Sequence, residues 1–343
     1  MSNLVVGIDI GGTKIAAGVI DSSARVLARH ISKTHAGQPP DDVIAAAVEA
    51  FHAVLAQAGL QPGQVAGLGV GFGGHVNGAA GLILTSSNLP AWDNHPLRDH
   101  LQDRLGVPVI LENDSNCAAW GEYRFGAGQG SRYLCYVTFS TGYGLGIVID
   151  GKLCVGATGT AGELAHTVIH PDGPPCTCGK RGCLICYTAG LGISRLVRER
   201  LDRGEQTLLR ELCGPSPTRV MGEIVVEAAE RGDRVAQEVL AIAGRYFGLG
   251  LSSVVQMFNP DRIVIGGGLA HVEHWLVEPG LAALRENIHP VLYDSAQIVY
   301  SQLWEDAGMI GAAALVWERA VPQAYADRGH SAVMAIEQRR RHE

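Results

Sequence analysis

The sequence has no excess of basic residues, no basic leader and no long unbroken apolar run. The formal net charge of the 343 residues is -7, so the basic surface that a nucleic-acid backbone requires is missing. The N-terminus leads directly into the apolar run Leu4 to Ile8, without the flanking features of a signal peptide. No run approaches the roughly 18 apolar residues of a membrane span. These absences predict a protein in solution that has neither nucleic acid nor membrane as a partner.

Cysteine is also scarce, with eight residues in the whole chain. A secreted disulfide scaffold would be short and rich in cysteine, so the count favours a reducing compartment. We therefore expect the protein in the cytoplasm. The length and the 47% hydrophobic content are sufficient for about two domains, each with its own core.

Apolar runs alternate with helical patterns along the chain, which predicts an α/β protein. The runs Leu4 to Ile10 and Ile15 to Ile20 flank a glycine turn and predict a hairpin. The same order of strand, glycine turn and strand recurs within residues 133–149, which indicates a weak internal repeat. Helical patterns are predicted for residues 41–58, 194–203, 220–231 and 233–257.

Three glycine turns follow apolar strands and are typical of phosphate-binding turns. The first is Asp9-Ile10-Gly11-Gly12-Thr13-Lys14, in which glycine amides can approach an anion and a carboxylate among phosphates implies a bridging Mg²⁺. The second, Ser140-Thr141-Gly142, occupies the equivalent place in the second half of the chain. The third, Gly266-Gly267-Gly268, suits the adenosine end of a nucleotide. Each turn alone also fits tight packing without a ligand, but the three together predict a nucleotide held between the two halves.

A cluster of metal-type ligands has the spacing Cys-x-Cys-x4-Cys at Cys176, Cys178 and Cys183, with His166 ten residues earlier. Three closely spaced thiols and an imidazole in a reducing compartment are typical of a tetrahedral Zn²⁺ site. Four protein ligands leave no open position for water, so the predicted zinc is structural and would hold the loop that carries His166. Alternative ligands are Cys186 and His170.

Four motifs together carry a resemblance to a known family. They are Asp9-Ile10-Gly11-Gly12-Thr13-Lys14, Glu112-Asn113-Asp114-Ser115-Asn116, Gly162-Glu163-Leu164-Ala165-His166 and Cys176-Thr177-Cys178-Gly179-Lys180-Arg181-Gly182-Cys183. In order and spacing they resemble the motifs of the ROK family (repressors, open reading frames and kinases), from about residue 4 to about residue 318. Repressors of the family carry a helix-turn-helix domain ahead of the kinase-like part, and this chain has no residues to house one. The resemblance therefore implies the kinase branch.

The resemblance implies an actin-like ATPase (ribonuclease H-like) fold with two α/β domains around a central cleft. It implies a small N-terminal domain of residues 1–117 plus 305–343, and a larger domain of residues 118–304 that carries the zinc loop. The implied activity is that of a glucokinase-like phosphotransferase, in which ATP and Mg²⁺ phosphorylate a primary hydroxyl, the 6-position of a hexose. Because family members are commonly dimers or tetramers, we expect a homodimer or homotetramer.

The resemblance also implies roles for individual residues. Asp114 would be the base that accepts the proton of the sugar hydroxyl, although a carboxylate there also fits a helix N-cap. The residues that would contact the sugar are Asn88, Asn113, Glu163 and His166. The residues that would bind phosphates and metal are Asp9, Gly11, Gly12, Thr13, Lys14, Thr141 and Gly142. The adenosine side would be lined by Gly267 and Gly268.

Ile185 is the main departure from the pattern of the family. Its kinases usually have a Glu at this position, which hydrogen-bonds the sugar near its anomeric end. An alkyl group there would cost a plain hexose about 1.5 to 3 kcal/mol. Smaller departures are Ala165 for a Gly and Gly74-His75 for a Gly-Pro pair. A modified sugar (an amino or N-acetyl sugar) or a cyclitol is therefore an alternative substrate, and the sequence leaves open a donor other than ATP, such as polyphosphate.

Two other classes of function fit parts of the pattern. A sugar-sensing regulator would bind its ligand without catalysis, but the intact Asp9 and Asp114 argue against it. A metal-dependent hydrolase would use the Cys/His cluster, yet a closed four-ligand site leaves zinc no position for water. Sugar-dependent release of ADP distinguishes the kinase from the regulator.

Overall fold

The structure is a computed structural model, and it describes residues 3–34, 37–86, 89, 91–214, 217 and 220–319. Asn88, which the family resemblance places near the sugar, lies outside the described residues. So does the segment 320–343, the last part of the predicted N-terminal domain.

Strands and helices alternate through the described residues, which confirms the predicted α/β class. The strands are β1 (Leu4–Ile10), β2 (Lys14–Asp21), β3 (Val26–Lys33), β4 (Leu68–Phe72), β5 (His75–Asn77), β6 (Leu82–Thr85), β7 (Val109–Asn113), β8 (Tyr133–Phe139), β9 (Tyr143–Ile149), β10 (Lys152–Leu153), β11 (Arg262–Gly266) and β12 (Gln297–Tyr300). The helices are α1 (Pro40–Ala58), α2 (Leu97–Leu105), α3 (Asp114–Phe125), α4 (Ala189–Asp202), α5 (Leu209–Leu212), α6 (Gly222–Glu230), α7 (Arg234–Phe258), α8 (Glu278–Asn287) and α9 (Ala307–Arg319).

Two five-stranded sheets share one strand order. The first runs β3-β2-β1-β4-β7, with β1, β4 and β7 parallel and the β1–β2 hairpin antiparallel, as the glycine turn predicts. The second runs β10-β9-β8-β11-β12, with β8, β11 and β12 parallel. In each sheet the first strand in sequence, β1 or β8, takes the central place. This recurrence agrees with the internal repeat that the sequence indicates.

The chain divides into two compact units, each of which is described by itself. The first contains Met1–Gly130, Gly146–Gly162 and Gln302–Glu343, and the second contains Ser131–Leu145 and Glu163–Ser301. The domain limits predicted from the sequence, 1–117 with 305–343 and 118–304, stay a prediction.

In the first unit, the residues of β1 alternate between two cores. The even-numbered residues from Val6 to Ile10 pack with α1 and α2, whereas Val5 packs with α9. Because side chains alternate along a strand, Asp9 lies on the α9 side. A methyl group on Gly7 would overlap the main chain of Met309, so glycine is needed for α9 to pack directly on the strand. The close approach of α9 brings its first turn next to Asp9.

In the second unit, α7 is the central helix and packs against α4, α6 and α8. It begins after Asp233, whose side chain accepts a hydrogen bond from the amide of Ala236. The ring of Phe247 stacks on Phe139 of β8 with 4.2 Å between centroids. By length and composition α7 would suffice to cross a membrane, but 61% of its most apolar window is buried inside the protein. Buried core helices have the same composition, so α7 is weak evidence for a membrane span.

Candidate active site

Two carboxylates lie at the ends of two parallel strands in the first unit. Asp9 is the next-to-last residue of β1, and Asp114 begins α3 directly after β7. Strand β4 lies between β1 and β7 and is parallel to both, so the three strands end at the same edge of the sheet. A methyl group on Gly71 would lie 3.5 Å from Asp9 Oδ1, and one on Gly73 would lie 3.4 Å from Asp114 Oδ2. Glycines at the end of β4 therefore leave room beside both carboxylates, where open α/β sheets commonly bind ligands.

The glycine turn after β1 is fixed by a buried threonine from the end of β3. Thr34 is 3% exposed, its hydroxyl donates to the carbonyl of Gly11 at 2.8 Å, and its amide donates to the carbonyl of Thr13 at 3.1 Å. The amide of Gly11 donates to the carbonyl of Lys14 at 2.9 Å. Carbonyl oxygens repel phosphate. Because the carbonyls of Gly11, Thr13 and Lys14 accept hydrogen bonds from the protein, the turn is suited to present an amide group to an anion. Thr34 is a residue that the sequence motif does not contain.

The pKa of Asp9 is raised from 3.8 to about 7. Burial is the largest cause, the charge of Asp114 adds to it, and Lys14 opposes it. The start of α9 is also close, since a methyl group on Gly308 would lie 2.9 Å from Asp9 Oδ2. The first unit thus holds a carboxyl group that is only partly ionised at neutral pH, and a nearby cation would favour its ionised form.

We expect Asp9→Asn to stabilise the metal-free protein at alkaline pH. A carboxyl group whose pKa rises from 3.8 to about 7 on folding loses stability as the pH rises through that window, and the loss is complete above it. A shift of about three pH units corresponds to at most about 4 kcal/mol, and we expect about 2 kcal/mol because Asp9 keeps some exposure. Urea unfolding in EDTA at pH 5 and pH 8 measures the effect. Between these two pH values, the unfolding free energy should fall less in the variant than in the wild type. The same pH dependence in both proteins would contradict the raised pKa.

Asn113, and not Asp114, is the N-cap of α3. Its Oδ1 accepts hydrogen bonds from the amides of Ser115 and Asn116 at 2.9 and 3.1 Å, and its Nδ2 donates to the carbonyl of Gly74 at 3.0 Å. Asp114 Oδ1 also accepts from the amide of Ser115, at 2.7 Å, but the helix end is already capped. A capping role alone therefore does not account for the carboxylate of Asp114, and Asn113 has a structural role besides its predicted contact with the sugar.

A cavity of about 540 Å³ lies in the second unit beside two of the glycine turns. Strands β8 and β11 are parallel neighbours, so the turns that follow them lie at one edge of the second sheet. Thr141 from the first of these turns and Gly268 from the second line the cavity, together with α6 and residues 271–275. Thr141 and Gly268 are both predicted nucleotide-binding residues. The other two predicted residues in this unit, Gly142 and Gly267, are their neighbours in sequence.

Glycine occupies two crowded positions near this cavity. Gly267 has φ 88°, and a methyl group there would lie 2.5 Å from the carbonyl oxygen of Phe139. Gly190, at the start of α4, donates its amide to the carbonyl of Ser140 at 2.8 Å, and a methyl group on it would lie 3.1 Å from Thr141 Cα. The turn after β8 is thus supported by the start of a helix that packs directly on its backbone.

The four predicted metal ligands form one cluster in the second unit. The ligand atoms of His166, Cys176, Cys178 and Cys183 all lie within 4.8 Å of one another. The Sγ atoms of Cys178 and Cys183 are 3.6 Å apart, and Cys176 Sγ is 3.6 Å from His166 Nδ1. Zn–S bonds of about 2.3 Å in a tetrahedron place two sulfurs about 3.8 Å apart, so the donor set fits zinc in both chemistry and size. Burial and then the neighbouring thiols raise the pKa of Cys183 to about 12.

The two alternative ligands have other partners. Cys186 Sγ donates to the carbonyl of Pro175 at 3.7 Å, and burial raises its pKa to about 11. His170 Nε2 lies 2.9 Å from the hydroxyl of Tyr246. Within the described part of the chain, the group of potential metal ligands contains neither residue.

Glu163, a predicted sugar ligand, and Ile185, the main departure from the family pattern, lie on either side of this cluster in sequence. Glu163 precedes the 3-10 helix Leu164–His166, and its carbonyl accepts from the amide of His166 at 3.1 Å. Ile185 lies in the 3-10 helix Leu184–Cys186 and is 7% exposed. A buried alkyl group therefore occupies the position at which the family pattern has a Glu.

Comparisons with known proteins extend over both units. A model of the ROK family matches residues 5–319. Glucokinase of Streptomyces coelicolor is 35% identical over 326 residues, which cover 92% of this chain and 98% of the relative. N-acetylmannosamine kinase of Salmonella heidelberg is 31% identical over 308 residues, covering 90% of this chain and 96% of the relative. The crystal structure of a ROK family glucokinase from Streptomyces griseus in complex with glucose and AMPPNP is similar with a TM-score of 0.82 and 34% identity, covering 92% of this chain and 99% of that chain.

These matches confirm the fold that the motifs imply. The structural similarity includes nearly all of a ROK glucokinase, so the chain has the actin-like ATPase fold. Because the family model matches almost the whole described chain, and because a relative is 35% identical over nearly its full length, this protein belongs to the ROK family.

Proposed function

We propose that this protein transfers the terminal phosphoryl group of ATP to the 6-hydroxyl of a hexose or hexose-like sugar. The observation that carries the proposal is the pair of carboxylates, Asp9 and Asp114, at the ends of two parallel strands on either side of β4, in a chain 35% identical to a glucokinase. The test is sugar-dependent release of ADP with a panel of glucose, mannose, glucosamine, N-acetylmannosamine and inositol. Binding of a panel sugar without release of ADP would favour the sugar-sensing regulator instead.

Asp114 is assigned as the general base. It takes the proton of the attacking hydroxyl while the hydroxyl oxygen bonds to phosphorus and the bridging oxygen leaves with ADP. It lies in the first turn of α3, and the N-terminal end of a helix attracts negative charge. The hydrogen bond from the amide of Ser115 at 2.7 Å holds one oxygen and fixes the orientation of the carboxylate.

Asp9 and the turn from Gly11 to Lys14 are assigned to the metal and the phosphates. A carboxylate oxygen is the ligand type that Mg²⁺ prefers, and the amide of Gly12 and the ammonium group of Lys14 suit phosphate oxygens. When bound, Mg²⁺ supplies charge neutralisation on the phosphates. A cation at this place would also favour the ionised form of Asp9, whose pKa is otherwise about 7.

The cavity of the second unit is assigned to the nucleoside part of ATP. Its volume of about 540 Å³ lies within the usual range of small-ligand sites. Val220, Val226 and Leu269 provide apolar surface for a base, and Thr141, from the turn after β8, is a polar lining residue. Gly142 and Gly267 would allow the backbone to approach the nucleotide closely.

The Cys/His cluster is assigned to a structural Zn²⁺. Three thiols and one imidazole complete a tetrahedral shell, so the ion would crosslink the loop between His166 and Cys183 and would take no part in the chemistry. Glu163 and His166 stay proposed sugar ligands, and the zinc would restrain both.

The number of free thiols also fits a cytoplasmic location. The protein is expected to be a homodimer or homotetramer, and light scattering of the purified protein tests this expectation.

Ile185 is expected to make glucose a poor substrate, and Ile185→Glu is expected to improve it. A buried alkyl side chain cannot accept a hydrogen bond, and a lost acceptor worth about 1.5 to 3 kcal/mol corresponds to about 10- to 150-fold in kcat/KM. The measurement is kcat/KM for glucose and N-acetylmannosamine in the wild type and in Ile185→Glu, with Ile185→Gln as a neutral acceptor and Ile185→Leu as the apolar control. A wild type that uses glucose well, with no gain in either polar variant, would contradict the specificity assigned to Ile185.

A further inference from the structure

The carboxylate of Glu112 is buried two residues before Asp114. Glu112 is 3% exposed and is the fourth residue of β7. A buried carboxylate is costly unless donors surround it and a positive charge compensates it. Among the described contacts, its Oε2 lies 3.1 Å from Nη2 of Arg319, the last residue of α9, which is 207 positions later in sequence.

The other oxygen of Glu112 holds the segment that carries Asp114. Oε1 accepts hydrogen bonds from the amide of Asn113 at 3.0 Å and from Nδ2 of Asn116 at 3.1 Å. Asn113 is the N-cap of α3, and Asn116 lies in the first turn of that helix. One buried carboxylate therefore contacts a residue on each side of Asp114 in sequence, Asn113 before it and Asn116 after it.

We propose that Arg319 is a positioning residue for Asp114, which it orients through the buried carboxylate of Glu112. The proposal rests on the proposed role of Asp114 as the base. Without Arg319, the charge of Glu112 would be buried without compensation, and Glu112 would either turn toward solvent or take up a proton. Turning away breaks its bonds to Asn113 and Asn116, and protonation weakens them, so the start of α3 loses its fixed orientation. Arg319 touches no reacting atom in this scheme.

The catalytic test compares Arg319→Gln with Arg319→Lys. A base displaced by a fraction of an ångström to 1 Å costs up to about 100-fold, so we expect Arg319→Gln to lower kcat by about 10- to 100-fold with the KM for the sugar nearly unchanged. Arg319→Lys keeps the charge and should recover most of kcat. The double variant Glu112→Gln/Arg319→Gln removes the uncompensated charge, so it should be more active and more stable than Arg319→Gln alone.

The matched control is Glu318→Gln. Glu318 is the neighbour of Arg319 at the same end of α9, and it forms an ion pair with Arg124. This variant also removes one ion pair from the end of α9, but it does not touch Glu112, so kcat should stay at the wild-type value. A loss of stability in Arg319→Gln with an unchanged kcat per folded molecule would show a purely structural role and would overturn the proposal.

A second readout does not depend on catalysis. The amides of Ser115 and Asn116 are held by Asn113 Oδ1, so their hydrogen exchange should be at least about 10-fold faster in Arg319→Gln and unchanged in Glu318→Gln. Unchanged exchange in Arg319→Gln would overturn the positioning role. If the wild type phosphorylates no sugar while the exchange result holds, the proposed function fails and the link between Arg319 and the segment around Asp114 stands.

Discussion

Asp114→Asn is expected to lower kcat for sugar phosphorylation by about 10²- to 10⁴-fold, the usual worth of a general base. The amide has nearly the same size as the carboxylate and keeps an oxygen for the hydrogen bond from the amide of Ser115, which is 2.7 Å long in the wild type. The start of α3 should therefore stay intact, because Asn113 caps it independently. What the variant loses is the ability to accept a proton from the sugar hydroxyl. The KM for ATP should change little, since the proposed ATP ligands are other residues.

Steady-state kinetics with a coupled assay for ADP measures this loss. Asp99→Asn is the control, because Asp99 is an exposed residue of α2 whose partner is Arg98, and its kinetics should equal those of the wild type. A second effect is also expected: the charge of Asp114 helps to raise the pKa of Asp9, so that pKa should fall in the Asn variant. If Asp114→Asn keeps kcat within about threefold of the wild type, the assignment of Asp114 as a base with the usual effect is wrong.

Site residues that lie close together in sequence were predictable. The spacing of Cys176, Cys178 and Cys183 indicates a metal site, and in the structure the ligand atoms of these residues and of His166 lie within 4.8 Å of one another. The glycine turn after β1 is predictable for the same reason, because its residues are contiguous. What the sequence leaves open is the choice between Cys186 and the other thiols. That choice depends on where a 3-10 helix directs each side chain, and Cys186 donates to the carbonyl of Pro175 instead.

Residues that act across long sequence distances were not predictable. Thr34 and Arg319 come from the end of β3 and the end of α9, and only the packing of those elements brings them to the turn at Gly11 and to Glu112.

The predicted start of α4 was wrong because it also depends on contacts between segments that are distant in sequence. The pattern predicts the helix from residue 194, because glycines at 190 and 192 weaken a helix, yet it begins at Ala189. Close contact of the helix start with the turn at Thr141 favours glycine at position 190, where a methyl group would lie 3.1 Å from Thr141 Cα.

Loss of the zinc site is the second large effect expected. Cys178→Ser should reduce the zinc content from about one ion per chain to a small fraction and should lower the unfolding free energy of the second unit by about 3 to 5 kcal/mol. For a unit of this size the corresponding fall in melting temperature is about 10 °C. Between residues 168 and 183, the described β-bridges are two isolated ones, Val168 with Cys183 and Pro175 with Arg181, and backbone hydrogen bonds such as that from the amide of Cys176 to the carbonyl of Lys180 accompany them. The loop therefore has little regular structure of its own, and a four-ligand ion would be its main crosslink.

Cys186→Ser is the matched control for this experiment, because it removes a neighbouring buried thiol that does not belong to the cluster. Its zinc content should equal that of the wild type, because serine keeps a hydroxyl group for the interactions of this side chain with the carbonyl of Pro175 and with Cys176. Chelation of wild-type protein should reproduce the instability of Cys178→Ser, whereas chelation of that variant should add little. Zinc retained by Cys178→Ser but lost from Cys186→Ser would instead make Cys186 the ligand. A wild type purified without any metal and with the same melting temperature as Cys178→Ser would show that the thiols stabilise the loop without an ion.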